Sequence, residues 1–117
     1  MNTMGTSPTP QLGVVEAVAK LQEGALLLDV REINEWNAGH APEAVHVPLG
    51  ELGSHVDRLD PAQEIVVICR SGRRSDDAAG ALRSIGFDAF NLAGGMQAWQ
   101  KAGRDVRTPS GDPGTVI

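Results

Sequence analysis

Residues 64–75 read EIVVICRSGRRS, and this stretch decides the fold. Ile65–Ile68 are four consecutive β-branched residues, and no polar residue interrupts them. A strand that is apolar without alternation is typical of a parallel sheet, because helices cover both of its faces. The small and basic residues of Arg70–Arg74 then predict a loop, and the apolar spacing of Ser75–Ile85 predicts a helix.

The same alternation of strand and helix extends outward along the chain. Shorter apolar runs predict further strands at Ala25–Val30, Ala44–Val47 and Ala89–Leu92. Helices are predicted between and around them, at Pro10–Gln22, Ile33–Asn37, Leu49–Leu59 and Met96–Ala102. The first of these helices is expected to have Thr9 as its N-cap, since a threonine followed by a proline at the first helical position suits a helix start. Alternating helices and strands predict an α/β domain, in which ligands bind beyond the carboxyl ends of the strands.

The length of 117 residues allows one compact domain and is short for two. We expect residues 1–9 to form a flexible leader, residues 10–106 the folded domain, and the Pro/Gly-rich residues 107–117 a C-terminal tail. No apolar run approaches the ~20 residues of a membrane helix, so no membrane partner is expected. A net charge of −5 and the absence of tyrosine argue against nucleic acid as a partner.

The chain has a single cysteine, Cys69, and this limits the disulfide and metal chemistry open to it. One thiol cannot form an internal disulfide or a multi-cysteine zinc cluster, and His40, His46 and His55 lack metal-ligand spacing. We therefore expect no metal site. An unpaired thiol and the lack of a recognisable targeting segment favour a cytoplasmic location.

Cys69–Ser75, called here the cysteine segment, is the strongest candidate site. Backbone amides at the start of a helix, together with the helix dipole, favour an anion there. Gly72 permits the tight loop, and three arginines add positive charge, so we expect the Cys69 thiol to ionise readily and act as a nucleophile. The alternative is an inert cysteine buried at a strand end.

Four segments in order carry a family resemblance. They are Leu27–Glu32 (LLDVRE), Glu35–Pro48 (EWNAGHAPEAVHVP), the cysteine segment (CRSGRRS) and Asn91–Trp99 (NLAGGMQAW). With these segments the chain resembles the single-domain rhodaneses from about Val14 to Arg104. It departs from the family pattern at Ala41–Glu43, where the family usually has an aliphatic residue after the histidine and a glycine before the alanine.

The resemblance implies a three-layer α/β/α domain with a five-stranded parallel sheet, and a sulfurtransferase of the thiosulfate:cyanide type. Cys69 would attack a small anionic sulfur donor such as thiosulfate, hold the sulfur as a persulfide, and pass it to external cyanide or to an external thiol, including a thiol on a protein. No cofactor or metal is implied. The residues implied to bind the substrate are Arg70, Ser71, Gly72, Arg73, Arg74 and Ser75.

Two other functions are also compatible with the sequence. Phosphatases and arsenate reductases of related fold use Cys-x5-Arg, but here Ser75 stands where that arginine belongs. A non-catalytic docking module is the second alternative, although such modules often lack the cysteine. Asp29 and Arg31 end a strand near the expected site, where a supporting role is possible and a structural ion pair is favoured.

Overall fold

The computed structural model describes residues 9–117, in which five strands alternate with five helices. The strands are β1 (Gln11–Leu12), β2 (Leu26–Asp29), β3 (Val45–His46), β4 (Ile65–Ile68) and β5 (Ala89–Leu92). The helices are α1 (Val14–Gln22), α2 (Ile33–Ala38), α3 (Leu52–His55), α4 (Arg73–Ser84) and α5 (Gly95–Lys101). Short 3-10 turns at Leu49–Glu51 and Val56–Arg58 flank α3. Of the predicted leader, only Thr9 lies within the described residues.

All five strands are parallel, in the order β1-β5-β4-β2-β3. β4 is the central strand, and its last residue, Ile68, pairs with Asp29 of β2. The carboxyl ends of β2, β4 and β5 therefore meet at one edge of the sheet. The predicted five-stranded parallel sheet is confirmed.

Two apolar cores, one on each face of the sheet, make the three layers. β4 is at most 1% exposed along its whole length, because its side chains alternate between the two cores. On one face Ile65 and Val67 pack with residues of α3 and α4; on the other, Val66 and Ile68 pack with residues of α1 and α5. The α/β/α arrangement is confirmed, and the unbroken apolar run of β4 results from this double burial.

The beginning of the chain differs from the prediction. The helix expected from Thr9–Pro10 starts only at Val14, and Gln11–Leu12 is instead an edge strand. The reason is long-range pairing: the Pro10 and Leu12 carbonyls accept hydrogen bonds from the backbone amides of Asn91 and Ala93. A two-residue strand has too few residues for its own pattern to reveal it.

Helix α4 begins two residues earlier than predicted, at Arg73. Gly72 precedes it with φ = 104°, a left-handed conformation that glycine adopts at little cost. The tight turn at Gly72 therefore brings Arg73 and Arg74, predicted to lie in the loop, into the first turn of the helix with Ser75.

The segment 107–117, predicted as a tail, contains no helix or strand but packs back onto the domain. Arg107 exchanges two backbone hydrogen bonds with His40, and the Thr115 amide donates to the Ala38 carbonyl. Val116 packs against the core that contains Trp99. The segment thus covers the end of α2. No helix within residues 9–117 has both the length and the apolar character needed to cross a membrane.

Candidate active site

Cys69 follows directly on β4, and its side chain faces the start of α4. Its Sγ accepts a hydrogen bond from the Gly72 amide at 3.1 Å and lies 3.2 Å from the Ser75 hydroxyl. Cys69 itself is 1% exposed. The strand therefore delivers the sulfur to the N-terminus of a twelve-residue helix, where unpaired amides and the helix dipole favour negative charge.

The surroundings of Cys69 favour its ionised form. Burial raises the pKa of Cys69, but hydrogen bonds from the Ser75 hydroxyl and from the Ser75, Gly72 and Ser71 amides outweigh burial, so the pKa is lowered overall. The principal donors are neutral groups: the loop amides, as expected from the sequence, together with the Ser75 hydroxyl, rather than the arginine charges. A lowered pKa raises the fraction of thiolate, which is the nucleophilic form.

The three arginines of the cysteine segment have different surroundings. Arg74 donates two hydrogen bonds of 2.8 Å to the two carboxylate oxygens of Glu35 in α2. Arg70 is exposed, and its Nε donates to the Ile117 carbonyl at 2.8 Å. Arg73 is exposed and, among residues 9–117, its side chain has no hydrogen-bond or ion-pair partner. Of the three guanidinium groups, that of Arg73 is therefore the most available to an incoming anion.

The Arg74–Glu35 pair affects both of its members. The hydrogen bonds from Arg74 lower the pKa of Glu35, against a smaller opposing effect of burial. The same bonds raise the pKa of Arg74, and the negative charge of Cys69 contributes in the same direction. Glu35 is thus ionised and bound to an arginine that also lies within the field of the thiolate.

Asp29 and Arg31 form a fully buried ion pair, which is the role expected for them from the sequence. The Arg31 Nη2 lies 2.8 Å from an Asp29 carboxylate oxygen. The guanidinium also donates to the carbonyls of Glu35 and Gly39, which belong to α2 and its C-terminus. Arg31 therefore fixes α2 against β2, and α2 in turn presents Glu35 to Arg74.

The turn at Gly94–Gly95 packs against the backbone of the cysteine segment. The first amides of α5 are already used: Met96 donates to the Cys69 carbonyl at 2.7 Å, and Gln97 to the Arg70 carbonyl at 3.0 Å. A Cβ on Gly95 would lie 2.7 Å from the Arg70 carbonyl oxygen, so only glycine permits this approach. These glycines therefore hold the start of α5 against the backbone of the cysteine segment.

Two polar side chains near Cys69 were absent from the predicted site. Asn91, 2% exposed at the end of β5, contacts both Ser75 and the Gly72 carbonyl. Gln11 of β1 accepts a hydrogen bond from Asn91. The available signal was an asparagine within the otherwise apolar strand Ala89–Leu92, since a buried polar side chain needs a partner.

The histidines have structural contacts. His40 Nδ1 lies 2.8 Å from the Trp36 carbonyl, and its ring stacks on Trp36 with the centroids 3.5 Å apart. His46 Nε2 lies 2.7 Å from the Arg31 carbonyl. Trp36 is half-buried, whereas Trp99 is fully buried. In the part of the chain that the structure describes, no cluster of three or more His, Cys, Asp or Glu could hold a metal ion.

Comparison with known proteins identifies the class of protein. The model of the Rhodanese-like domain family matches residues 14–102. A putative sulfurtransferase of Bacillus subtilis, YtwF, is 42% identical over 78 residues, which are 67% of this chain and 76% of that protein. The thiosulfate sulfurtransferase GlpE of Pseudomonas savastanoi is 31% identical over 86 residues, covering 73% of this chain and 81% of that protein.

A solved structure shares the same architecture. The rhodanese-related protein of Thermoplasma volcanium superposes with a TM-score of 0.77 at 27% identity, over 83% of this chain and 96% of that one. The chain belongs to the rhodanese-like domain family. Some relatives are longer: the putative sulfur carrier protein YrkF of Bacillus subtilis is 44% identical over 78 residues, but the match covers only 42% of that protein.

Proposed function

We propose that this protein is a sulfurtransferase that carries a sulfane sulfur on Cys69 as a persulfide. The observation that supports this proposal is the position of Cys69 Sγ, with the Gly72 amide and the Ser75 hydroxyl within 3.2 Å at the start of α4. Such donors stabilise a thiolate before attack and an anionic persulfide after it. The names of the relatives, a sulfur carrier and sulfurtransferases, agree with this chemistry.

In the first half-reaction the Cys69 thiolate attacks the outer sulfur of thiosulfate. A bond forms between Sγ and that sulfur, and the bond to the sulfonate sulfur breaks with its electron pair leaving on sulfite. The outer sulfur keeps its negative charge as the terminal atom of the persulfide, and the charge brought by the thiolate leaves on sulfite, so charge balances. The exposed guanidinium groups of Arg70 and Arg73 are the groups we assign to the donor and to departing sulfite.

In the second half-reaction an acceptor removes the outer sulfur. Attack by an external thiolate gives a new persulfide, attack by cyanide gives thiocyanate, and either restores the Cys69 thiolate. No second cysteine lies in these 117 residues, so the acceptor must come from outside them. A thiol on a protein would make the domain a sulfur relay. The unpaired nucleophilic thiol also favours a reducing, cytoplasmic setting.

Ser75 argues against phosphatase chemistry. In the Cys-x5-Arg arrangement, the residue at this position binds the phosphate oxygens through its guanidinium. Here the position holds a fully buried serine whose hydroxyl contacts Cys69 and Asn91. A cradle closed by a short hydroxyl suits a single sulfur atom better than a tetrahedral phosphate.

Intact mass spectrometry tests the proposal directly. After incubation with thiosulfate and removal of excess reagent, the protein is expected to gain one sulfur, about 32 Da. Addition of cyanide or a small thiol should remove that mass and release thiocyanate or a new persulfide. The nearly isosteric Cys69→Ser variant is the matched control, and it should fold normally, gain no mass and show no turnover.

The outcomes separate the open alternatives. If the protein gains a sulfur from a glutathione persulfide but not from thiosulfate, the persulfide mechanism holds and the sulfur donor is not thiosulfate. No sulfur gained from either donor would contradict the proposal and favour the docking module. Turnover that persists in Cys69→Ser would show that another group carries the reaction, and aryl phosphate hydrolysis dependent on Cys69 would establish the phosphatase alternative.

A further inference from the structure

The orientation of the Asn91 side chain is determined by its neighbours. The Thr9 carbonyl and the Asp76 carboxylate accept hydrogen bonds from Gln11 Nε2, so the Gln11 amide oxygen faces Asn91. That oxygen and the Gly72 carbonyl, at 2.7 Å and 3.1 Å, both require donors and therefore face Asn91 Nδ2. Asn91 Oδ1 is consequently turned toward Ser75, and this oxygen can only accept a hydrogen bond.

The Ser75 hydroxyl thus lies between two acceptors. Its Oγ is 2.6 Å from Asn91 Oδ1 and 3.2 Å from Cys69 Sγ. A hydroxyl carries one proton and therefore donates one such bond at a time. While Cys69 is a thiol, Ser75 can donate to Asn91 and accept the S–H. When Cys69 ionises, its proton leaves to solvent, and the thiolate and Asn91 Oδ1 then require the same Ser75 proton.

We propose that Asn91 is a positioning residue that competes with the Cys69 thiolate for the hydroxyl proton of Ser75. The short contact between Ser75 Oγ and Asn91 Oδ1 favours the thiol form of Cys69 when no substrate is present. When the sulfur carries a negative charge, the Ser75 hydroxyl donates its hydrogen bond to the sulfur instead. Asn91 thereby sets how readily Cys69 ionises without touching it. This inference rests on the proposed function only in that the thiolate is the form that attacks the sulfur donor.

Charged groups from the surrounding elements also act on Cys69, and the test must leave them unchanged. Arg74 of α4 faces it while paired with Glu35 of α2, and the Asp29–Arg31 pair ends the neighbouring strand β2. Asp76 reaches Asn91 only through Gln11. Substitutions at Ser75 and Asn91 alter none of these charges, so a double-mutant cycle between the two isolates their coupling.

The experiment measures the rate of alkylation of Cys69 by iodoacetamide as a function of pH, which needs no sulfur donor. Ser75→Ala should raise the pH midpoint of alkylation, because the thiolate loses a hydrogen-bond donor. When Ser75 is present, Asn91→Val should lower the pH midpoint of alkylation by about half a pH unit. When Ser75 has been replaced by alanine, Asn91→Val should leave that midpoint unchanged. A merely structural role, in which loss of the Gly72 contact displaces the loop amides, predicts instead a raised midpoint in both backgrounds, and that result would overturn the proposal.

Folding of each variant is checked by circular dichroism, with Asn91→Ala as a second choice. A measurement on the unaltered chain covers the case in which neither variant folds. The carbon-13 signal of the Asn91 side-chain carbonyl should titrate with the same midpoint as Cys69 alkylation, since its hydrogen bond is lost as the thiolate forms. A signal independent of pH across that midpoint would overturn the proposal, whereas absence of persulfide formation would affect only the proposed function.

Discussion

Arg74 and Glu35 are joined by two parallel hydrogen bonds, each 2.8 Å long, between the guanidinium and the carboxylate. The pair links the first turn of α4, beside Cys69, to α2, which lies more than thirty residues earlier in the chain. Its carboxylate neutralises much of the charge that Arg74 could offer a substrate. Arg74, one of the three arginines that the family resemblance implies for the anion site, therefore serves first to hold two helices together.

The arginines of the cysteine segment should differ in their effect on the sulfur donor. We expect Arg73→Ala to lower kcat/KM for thiosulfate about fivefold to tenfold, because its guanidinium has no partner within residues 9–117 and is available to the dianion. Arg74→Ala should instead lower the free energy of unfolding and reduce kcat/KM less. Steady-state kinetics with thiosulfate and cyanide, together with urea unfolding, give both quantities.

Arg83→Ala is the matched control, since Arg83 is an exposed arginine in the last turn of the same helix. It should leave kcat/KM for thiosulfate nearly unchanged. An equal loss in Arg83→Ala would mean that the overall charge, not a local contact, attracts the donor. A larger kinetic loss in Arg74→Ala than in Arg73→Ala, with stability unchanged, would return the anion-binding role to Arg74.

The ion pair also predicts a pH dependence of stability. Arg74 lowers the pKa of Glu35 in the folded chain, so the pair stabilises the fold above the unfolded pKa of about 4.3 and is lost as the pH falls through the lower folded pKa. At neutral pH, Glu35→Gln should reduce the free energy of unfolding by about 1 kcal/mol. Urea unfolding across the acidic range should show this difference shrinking as both states become protonated.

Glu23→Gln is the control for the urea unfolding of Glu35→Gln across the acidic range. It makes the same chemical change at an exposed carboxylate just after α1. Its effect on the free energy of unfolding should be small at every pH. A difference between Glu35→Gln and the unaltered chain that persists unchanged in acid would contradict the electrostatic account and assign the effect to packing.

Most of the fold could be predicted because its main elements have local patterns. The run Ile65–Ile68 is a strand as predicted, since burial on both faces leaves continuous apolar sequence. Ala89–Leu92 is also a strand as predicted, although Asn91 interrupts its apolar run. Gln11–Leu12 could not be predicted, because its two residues become a strand only by pairing with β5, about eighty residues away. The start of α4 was misplaced because Gly72 adopts a left-handed turn, at a place where an added Cβ would lie 3.0 Å from the Gly94 backbone nitrogen of a distant segment.

The candidate site was predictable in outline for the same reason. The order strand, cysteine, glycine, helix lies within twelve residues and defines where the sulfur sits. The partners of that segment come from distant parts of the chain. Glu35 reaches Arg74 only because Arg31 fixes α2, and Asn91 reaches Ser75 only because β5 lies beside β4. Such pairings depend on packing, which no local pattern records.

Gly95 should be irreplaceable for both stability and activity. Gly95→Ala would place a methyl group 2.7 Å from the Arg70 carbonyl oxygen at a backbone φ of 57°, so we expect the free energy of unfolding to fall by about 3 kcal/mol. The cysteine segment must also shift, which should slow persulfide formation in the fraction that folds. Urea unfolding and intact mass after thiosulfate measure the two effects.

Gly103→Ala separates steric contact from backbone conformation. Gly103 also has a positive φ, 80°, but an added Cβ there would meet no atom within 4 Å. Its cost should be about 1 kcal/mol, with persulfide formation unchanged. Equal destabilisation by the two substitutions would mean that conformation alone limits Gly95, and that its approach to the cysteine segment contributes nothing.

Arg31 should be the most costly charged residue to remove. Arg31→Met keeps an unbranched side chain of similar length but leaves the Asp29 carboxylate buried without its partner, so we expect a loss of about 3–5 kcal/mol in urea unfolding. Arg83→Met is the matched control, since its pair with Asp88 is exposed and should contribute less than about 1 kcal/mol. If the two variants lost equal stability, the buried ion pair would not be what anchors α2. Arg31 would then not be the residue that positions Glu35 for its contact with Arg74.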